Sequence, residues 1–335
     1  MCGLSLRSGA PYQDVTMEAR LRRDPRCRLG LRCRGDGWQV NLLGLALLFC
    51  ATPLRAQEPA TNSAAVAEFD SVASSSGWDV GPPGHLYPLY MADPRRPQTG
   101  AGLRHVLSSD LNDEFGSGHV RTIMSLGGRV PVVRYTGSGV QAWEFSVEGA
   151  FFGMFDASQS LENIGWDGWY GLLVSWRIAE NWATKLHYRH LSSHLGDEFI
   201  ERTDRQRIGY TREDFTLGLA WEPLPGATVY GEGGVGIHDG AGRQEALYFQ
   251  FGAQYRDDDR ILWDIFDWQI ATDVQLFEED DYDPGITVQG ALLVPLARPG
   301  QQFRLALEYH TGRVLIGELS EFSEDYLALI FAWDF

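Results

Sequence analysis

The chain has 335 residues, with 28 Lys plus Arg against 45 Asp plus Glu, and its formal net charge of −17 excludes a nucleic-acid phosphate backbone as a partner. Hydrophobic residues make up 44%, yet mean hydropathy is −0.22 and no apolar run reaches the ~20 residues that a membrane-spanning helix needs. The cysteines are Cys2, Cys27, Cys33 and Cys50, so everything beyond them is without disulfides or thiolate metal ligands.

Residues 1–56 read as a leader. Arg20, Arg22, Arg23, Arg26, Arg28, Arg32 and Arg34 precede the apolar run Leu42 to Phe49, which ends in Ala51-Thr-Pro-Leu-Arg-Ala56. A basic stretch, a short apolar core and a small-residue exit are the pattern of a secretory signal, with cleavage expected after Ala56. The leader holds nine arginines against Asp14, Glu18, Asp24 and Asp36, a net +5, and taking +5 from −17 leaves −22 for the remainder. Residues 57–98 have little periodicity and are rich in Ala, Ser, Pro and Gly, ending in Gly81-Pro-Pro-Gly84 and Asp93-Pro-Arg-Arg-Pro97. They read as a periplasmic linker or a plug segment.

From residue 99 to 335, alternation takes over. Trp143, Phe145, Val147, Phe151 and Phe155 fall on one strand face, with Glu144, Ser146 and Glu148 on the other. Leu247, Phe249, Phe251, Ala253 and Tyr255 oppose Gln250, Gln254 and Arg256, and Phe266, Trp268, Ile270, Val274 and Leu276 oppose Asp267, Gln269, Asp273 and Gln275. Phe303, Leu305, Leu307 and Tyr309 likewise oppose Arg304, Glu308 and His310. The chain then closes on Leu327, Leu329, Phe331, Trp333 and Phe335, all of one parity. Large apolar groups ending in aromatics suit a strand face that meets lipid. The expected fold is therefore all-β: an antiparallel transmembrane β-barrel of about 12 strands.

The connections fit that topology. Short links near Thr136–Gly139, Ala179–Asn181, Pro223–Gly226, Asp257–Arg260 and Arg298–Gly300 alternate with longer ones near Asp156–Gly165, Ser193–Gln206, His238–Gln244, Glu278–Gly285 and Gly312–Asp325. Eleven strands count back from Phe335 to about Val120, and a weaker one over Gly100–Ser109 makes twelve. The inward parity carries both signs of charge, including Lys185 (the sole lysine), His187, Arg189, Arg212, Asp214 and Glu232, so a salt-bridged and largely filled lumen is expected. Gly231-Glu-Gly233-Gly234-Val-Gly236 lacks the following helix of a phosphate loop and is assigned no ligand.

One stretch concentrates reactive side chains. Leu186-His187-Tyr188-Arg189-His190-Leu191-Ser192-Ser193-His194 ends a strand and leads into a long loop. Trp182, Thr184, Leu186 and Tyr188 set the lipid parity, which turns His190, Ser192 and His194 outward near the outer leaflet. Residues two apart on one strand face have Cα atoms roughly 6.5–7 Å apart, within imidazole-to-hydroxyl reach. A serine hydroxyl attacks an ester only when a base takes its proton and a third group holds that base. Ser192 is thus the candidate nucleophile, His190 its base and Glu213, outward on the next strand, the orienting acid, with Glu198, Glu201 and Asp204 as loop alternatives. His194, Asp197 and Glu198 are candidate binding residues, and Asp197, Glu198, Glu201 and Asp204 form an acidic loop able to offer oxygens to Ca²⁺; no cofactor is otherwise required. The acidic loop Glu278–Asp283 reads as solvated charge, or as a site bridged to lipopolysaccharide by divalent cations. The structural alternative for the histidines is a rim motif that hydrogen-bonds loop backbone.

The His190-x-Ser192 pair resembles the active strands of two outer-membrane hydrolase families, outer-membrane phospholipase A and lipid A 3-O-deacylase. That resemblance implies a serine nucleophile and histidine base on the outer barrel wall, although Ser193 stands where both families prefer Asn. Ser192-Ser-His194-Leu-Gly196-Asp-Glu198, Tyr87-Pro-Leu-Tyr-Met-Ala-Asp93-Pro-Arg95 and the terminal aromatic strand together resemble the bacterial family domain of unknown function 1207, which implies an outer-membrane location but no agreed activity. Likeness to outer-membrane barrels also implies that the barrel-assembly machinery reads Phe335. Three functions follow as expectations: a barrel with a structural or interaction role among outer-membrane lipid and lipopolysaccharide, an outer-leaflet acyl-ester hydrolase, or a narrow channel for small solutes.

Overall fold

The computed structural model describes residues 76–240, 246–262, 265–297 and 300–335. The expected leader, 1–56, lies outside the described residues, as does the expected linker up to residue 75.

After a short strand β1 (Gly77–Val80) come the barrel strands β2 (Thr99–Ser109), β3 (Val120–Thr136), β4 (Ala142–Asp156), β5 (Glu162–Ala179), β6 (Trp182–Leu195) and β7 (Thr211–Leu224). They continue as β8 (Ala227–Asp239), β9 (Leu247–Ile261), β10 (Phe266–Phe277), β11 (Gly285–Pro295), β12 (Gln302–Arg313) and β13 (Ser323–Asp334). Each of β2 to β13 pairs antiparallel with the next, and β13 pairs back onto β2 with Leu329 opposite Leu103, so the twelve strands close. β1 adds to the far end of β3, Gly77 opposite Thr136. The expected twelve-stranded antiparallel barrel is what forms.

The pattern is inverted relative to a water-soluble protein. Arg121, Glu144, Asp167 and Asp214 are 0% exposed, whereas Leu217 is 64% and Leu329 53% exposed. Alternation dictates this: one parity lines a lumen and the other faces outward, where an apolar surface is stable in hydrocarbon and not in water. Trp143, Trp176, Trp182, Trp221, Trp268 and Trp333 sit on the outward parity near the end where the turns are short, forming an aromatic girdle. One link differs from expectation. β9 runs through Asp257–Arg260 to Ile261, with Asp257 still paired to Trp268, because backbone pairing continues where charged side chains project to water at the rim.

The lumen is filled. Lys185 pairs with Glu232 at 2.5 Å, Arg129 with Glu148 at 2.6 Å, and Asp214 takes Arg189 at 2.8 Å and Arg212 at 2.6 Å. Residues 81–98 rise into this interior from the short-turn end and return to it at Thr99. Tyr90 donates to Glu232 at 2.7 Å and stacks on Tyr230 at 3.7 Å, Arg95 reaches Asp167 at 2.8 Å, and Arg96 reaches Asp334 at 2.6 Å. Between this segment and the wall lie small chambers of about 50 and 20 Å³, and larger recesses open at the two ends, about 580 Å³ beside His85, Met91 and Gln254 and about 420 Å³ beside Tyr210, Glu279 and Arg313. The long-loop end is capped. Helix α1 (Asp110–Phe115) and helix α2 (Asp197–Thr203) contribute Leu111 and Phe199 to an apolar cluster with Ile164, Leu195, Val314, Ile316, Leu319 and Phe322.

Candidate functional site

β6 pairs with β5 without a bulge from Ala183 to Leu195, and its parity therefore holds through the reactive stretch. His190, Ser192 and His194 project outward with Leu186 and Tyr188, while His187 and Arg189 point into the lumen. A strand tilted about 40° climbs roughly 2.5 Å per residue along the barrel axis. Ser192 thus stands roughly 25 Å above Trp182, about the height of the apolar band of such barrels. Polar groups at that boundary cost only ~0–1 kcal/mol, so polarity alone does not single out the site. The pairings do.

Two hydrogen bonds organise the cluster. Ser192 Oγ lies 3.0 Å from His194 Nε2, and His190 Nδ1 lies 3.4 Å from Glu213 Oε1. The structure thus brings His190 and Glu213 together, as opposite residues in the β6–β7 register, but joins the Ser192 hydroxyl to His194. Each imidazole is held by a ring on β5: His194 stacks on Trp166 at 4.1 Å, and His190 on Tyr170 at 4.9 Å. His238 on β8 lies opposite Glu213, extending the row Tyr170, His190, Glu213, His238 across four strands. Trp166, Tyr170 and His238 did not stand out in the sequence, because membership depends on cross-strand register, which parity within one strand does not fix.

Ser193, beside the candidate nucleophile, has an inward role. Its Oγ accepts from the Glu318 backbone N–H at 2.8 Å, and its own N–H donates to the Tyr210 carbonyl at 2.9 Å. Glu318 in turn accepts from the backbone N–H groups of Ile208, Gly209 and Tyr210 at 2.8, 2.8 and 3.2 Å. This ties the 196–210 and 314–322 loops together directly behind the outward cluster.

The acidic loop is arranged differently from a metal cage. Asp197, Glu198 and Glu201 lie on α2, and Asp204 follows as its left-handed cap with φ 57°. Asp197 is taken by Arg207 at 2.7 Å, and no three of these carboxylates converge within reach of one ion. The helix spreads them over its exposed side, a geometry that loop composition does not reveal. Among the described residues, the acidic group that does converge is Asp257, Asp258 and Asp259 at the opposite rim. In the Glu278–Asp283 loop, Arg313 pairs with Glu279 at 2.5 Å and Asp280 at 2.8 Å; burial, opposed by Arg313 and reinforced by Glu279, still pushes the Asp280 carboxyl up.

The family model described as a protein of unknown function (DUF1207) matches residues 52–335. No curated protein matches the sequence. Among solved structures, the outer membrane phospholipase of Salmonella typhi, a dimer with bound calcium, is similar at 13% identity and a TM-score of 0.51, covering 72% of this chain and 93% of its own. Outer membrane phospholipase A from Escherichia coli is similar at 10% identity and a TM-score of 0.50, covering 74% and 94%. LpxR from Salmonella typhimurium aligns at 8% identity and a TM-score of 0.35, covering 71% and 100%. At these identities the likeness to the two phospholipases is one of fold.

Proposed function

This chain belongs to the DUF1207 family of proteins of unknown function, and from that premise we propose that it is a sealed barrel of the bacterial outer membrane with a structural or interaction role. The observation that carries this reading is the filled lumen: residues 81–98 bridge opposite walls through Arg95–Asp167, Arg96–Asp334 and Tyr90–Glu232. In this setting the short turns face the periplasm, the capped loops meet lipopolysaccharide, and the terminal Phe335 is the residue that the barrel-assembly machinery reads. The expected result is recovery in the outer-membrane fraction, with the mobility shift on heating typical of closed barrels, and a silent planar bilayer at protein loads where porins conduct. Steady discrete conductance would remove the sealed reading.

A second reading is supported by the Ser192–His194 and His190–Glu213 hydrogen bonds on the membrane-facing wall. It is an acyl-ester hydrolase acting on outer-leaflet lipid with Ser192 as nucleophile. Purified barrel is then expected to release fatty acid from labelled phospholipid or lipid A, and Ser192→Ala to stop it. Release that persists in Ser192→Ala removes this serine from the chemistry.

A further inference from the structure

The register around Ser192 opens a slot in the outward wall, and we propose that this slot is the ester-binding cleft of the hydrolase reading, with His194 rather than His190 as the base of the serine. The proposal rests on that reading and adds the base and the cleft to it.

Gly168 on β5 lies directly opposite Ser192, and Thr211 lies opposite it on β7. Gly168 shares the outward parity of Trp166 and Tyr170. A Cβ placed there would meet only the Trp166 ring, at 3.5 Å, so the space beside the serine is open. On one side of the gap stands the Trp166–His194 stack, and on the other the Tyr170–His190 stack, the latter backed by Glu213. Phe151, opposite Gly168 on β4, closes the far wall, its ring 5.5 Å from Trp166. An ester entering here would lie against the Trp166 and Tyr170 side chains, and glycine is the residue that lets a ligand approach the strand closely. The height of Ser192 places that opening where acyl chains join head groups.

The base assignment follows from which nitrogen meets the hydroxyl. His194 Nε2 is 3.0 Å from Ser192 Oγ and its ring is fixed by Trp166, whereas the Nδ1 of His190 faces Glu213. Ser192 Oγ attacks the ester carbonyl carbon as His194 Nε2 takes the hydroxyl proton. The carbonyl carbon–alkoxy bond then breaks, and the imidazolium returns that proton to the leaving alcohol oxygen. Water attacks the resulting acyl-serine, His194 accepts its proton and passes it to Ser192 Oγ, and the acyl group leaves as a carboxylic acid. Water is the sole co-reactant.

The test uses the full barrel in phosphatidylethanolamine–detergent micelles, reading fatty-acid release and fluorophosphonate labelling of Ser192, with the heat-dependent mobility shift confirming closure of each variant. His194→Ala is expected to lower release by about 10²–10⁴-fold, with partial rescue by free imidazole. His190→Asn is expected to cost less than about tenfold, and Gly168→Val, which fills the slot, to cut release at least about tenfold. If His194→Ala does not close, His194→Gln keeps a hydrogen-bonding side chain that accepts no proton and serves the same comparison. Loss of labelling in His190→Asn with full labelling in His194→Ala overturns the base assignment and leaves the hydrolase reading intact. Full release from Gly168→Val overturns the cleft. Wild-type protein that neither labels nor releases fatty acid ends the hydrolase reading itself.

Discussion

A single buried carboxylate shows how the interior is held. Glu324 on β13 takes Arg104 at 2.8 Å and also Arg121, and all three side chains are nearly or fully withdrawn from solvent. Arg104 lies over the Tyr326 ring at 3.7 Å, and Arg121 also donates to Asn112 at 2.5 Å. Substituting Glu324→Gln leaves two guanidinium groups facing a neutral amide. Breaking a buried pair by removing one partner costs about 3–5 kcal/mol, since the remaining charge is uncompensated. The expected outcome is a lower urea midpoint for loss of the folded gel species, whereas Glu324→Asp, which keeps the charge, loses less. An unchanged midpoint in Glu324→Gln would mean that the pair contributes nothing. Parity alone made Lys185, Glu232, Arg304 and Glu308 legible as inward groups. Which cation meets which carboxylate was not legible, because that depends on register and on residues 81–98, whose sequence has no period. The same limit applies at Ser192: both imidazoles share its face, and parity alone does not fix that its hydroxyl lies beside His194 Nε2 while His190 Nδ1 faces Glu213.

At the level of elements, strands were readable and caps were not. Alternation located β2 to β13 because each strand separates two solvents of opposite polarity. Loops carry no such constraint, and the sequence reads 193–206 and 312–325 only as longer links. The contiguous run Val314-Leu315-Ile316, followed by Leu319 and Phe322, was the available signal: a solvated loop has no use for five apolar residues in nine positions. Glu318 is the element-scale joint, accepting three backbone N–H groups from the neighbouring loop. In Glu318→Ala these donors lose their partner at about 1–3 kcal/mol apiece. The cap is expected to loosen while the wall persists, read as faster tryptic cleavage after Arg205 or Arg207 with the heat-dependent mobility shift retained. Cleavage at the wild-type rate would show that the apolar cluster holds the loops unaided.

Across the whole molecule, stability and pH meet at His85 on the lumen segment. Burial, then the Arg129 and Arg134 cations, hold its pKa down from 6.5 to about 3. The docked segment refuses a proton that a released one accepts, so docking is fully favourable above about 6.5 and weakens as pH falls from there towards about 3. The slope is at most roughly 1.4 kcal/mol per pH unit. The protection of residues 85–98 against hydrogen exchange, taken relative to the intrinsic base-catalysed rate at each pH, is expected to fall between pH 6.5 and 4.5 in the wild type and to lose that dependence in His85→Gln. A wild-type profile as flat as that of the variant would contradict the assignment.

The lumen segment enters and leaves through one mouth, from β1 on the rim up to Asp93 and back to Thr99. It is a stopper on a leash, fastened at both ends outside the opening it fills. Drawing it out breaks side-chain pairs but none of the hydrogen bonds between neighbouring staves. Leakage and collapse are therefore separable events: with rising urea, brief current should flicker through a wall that is still whole.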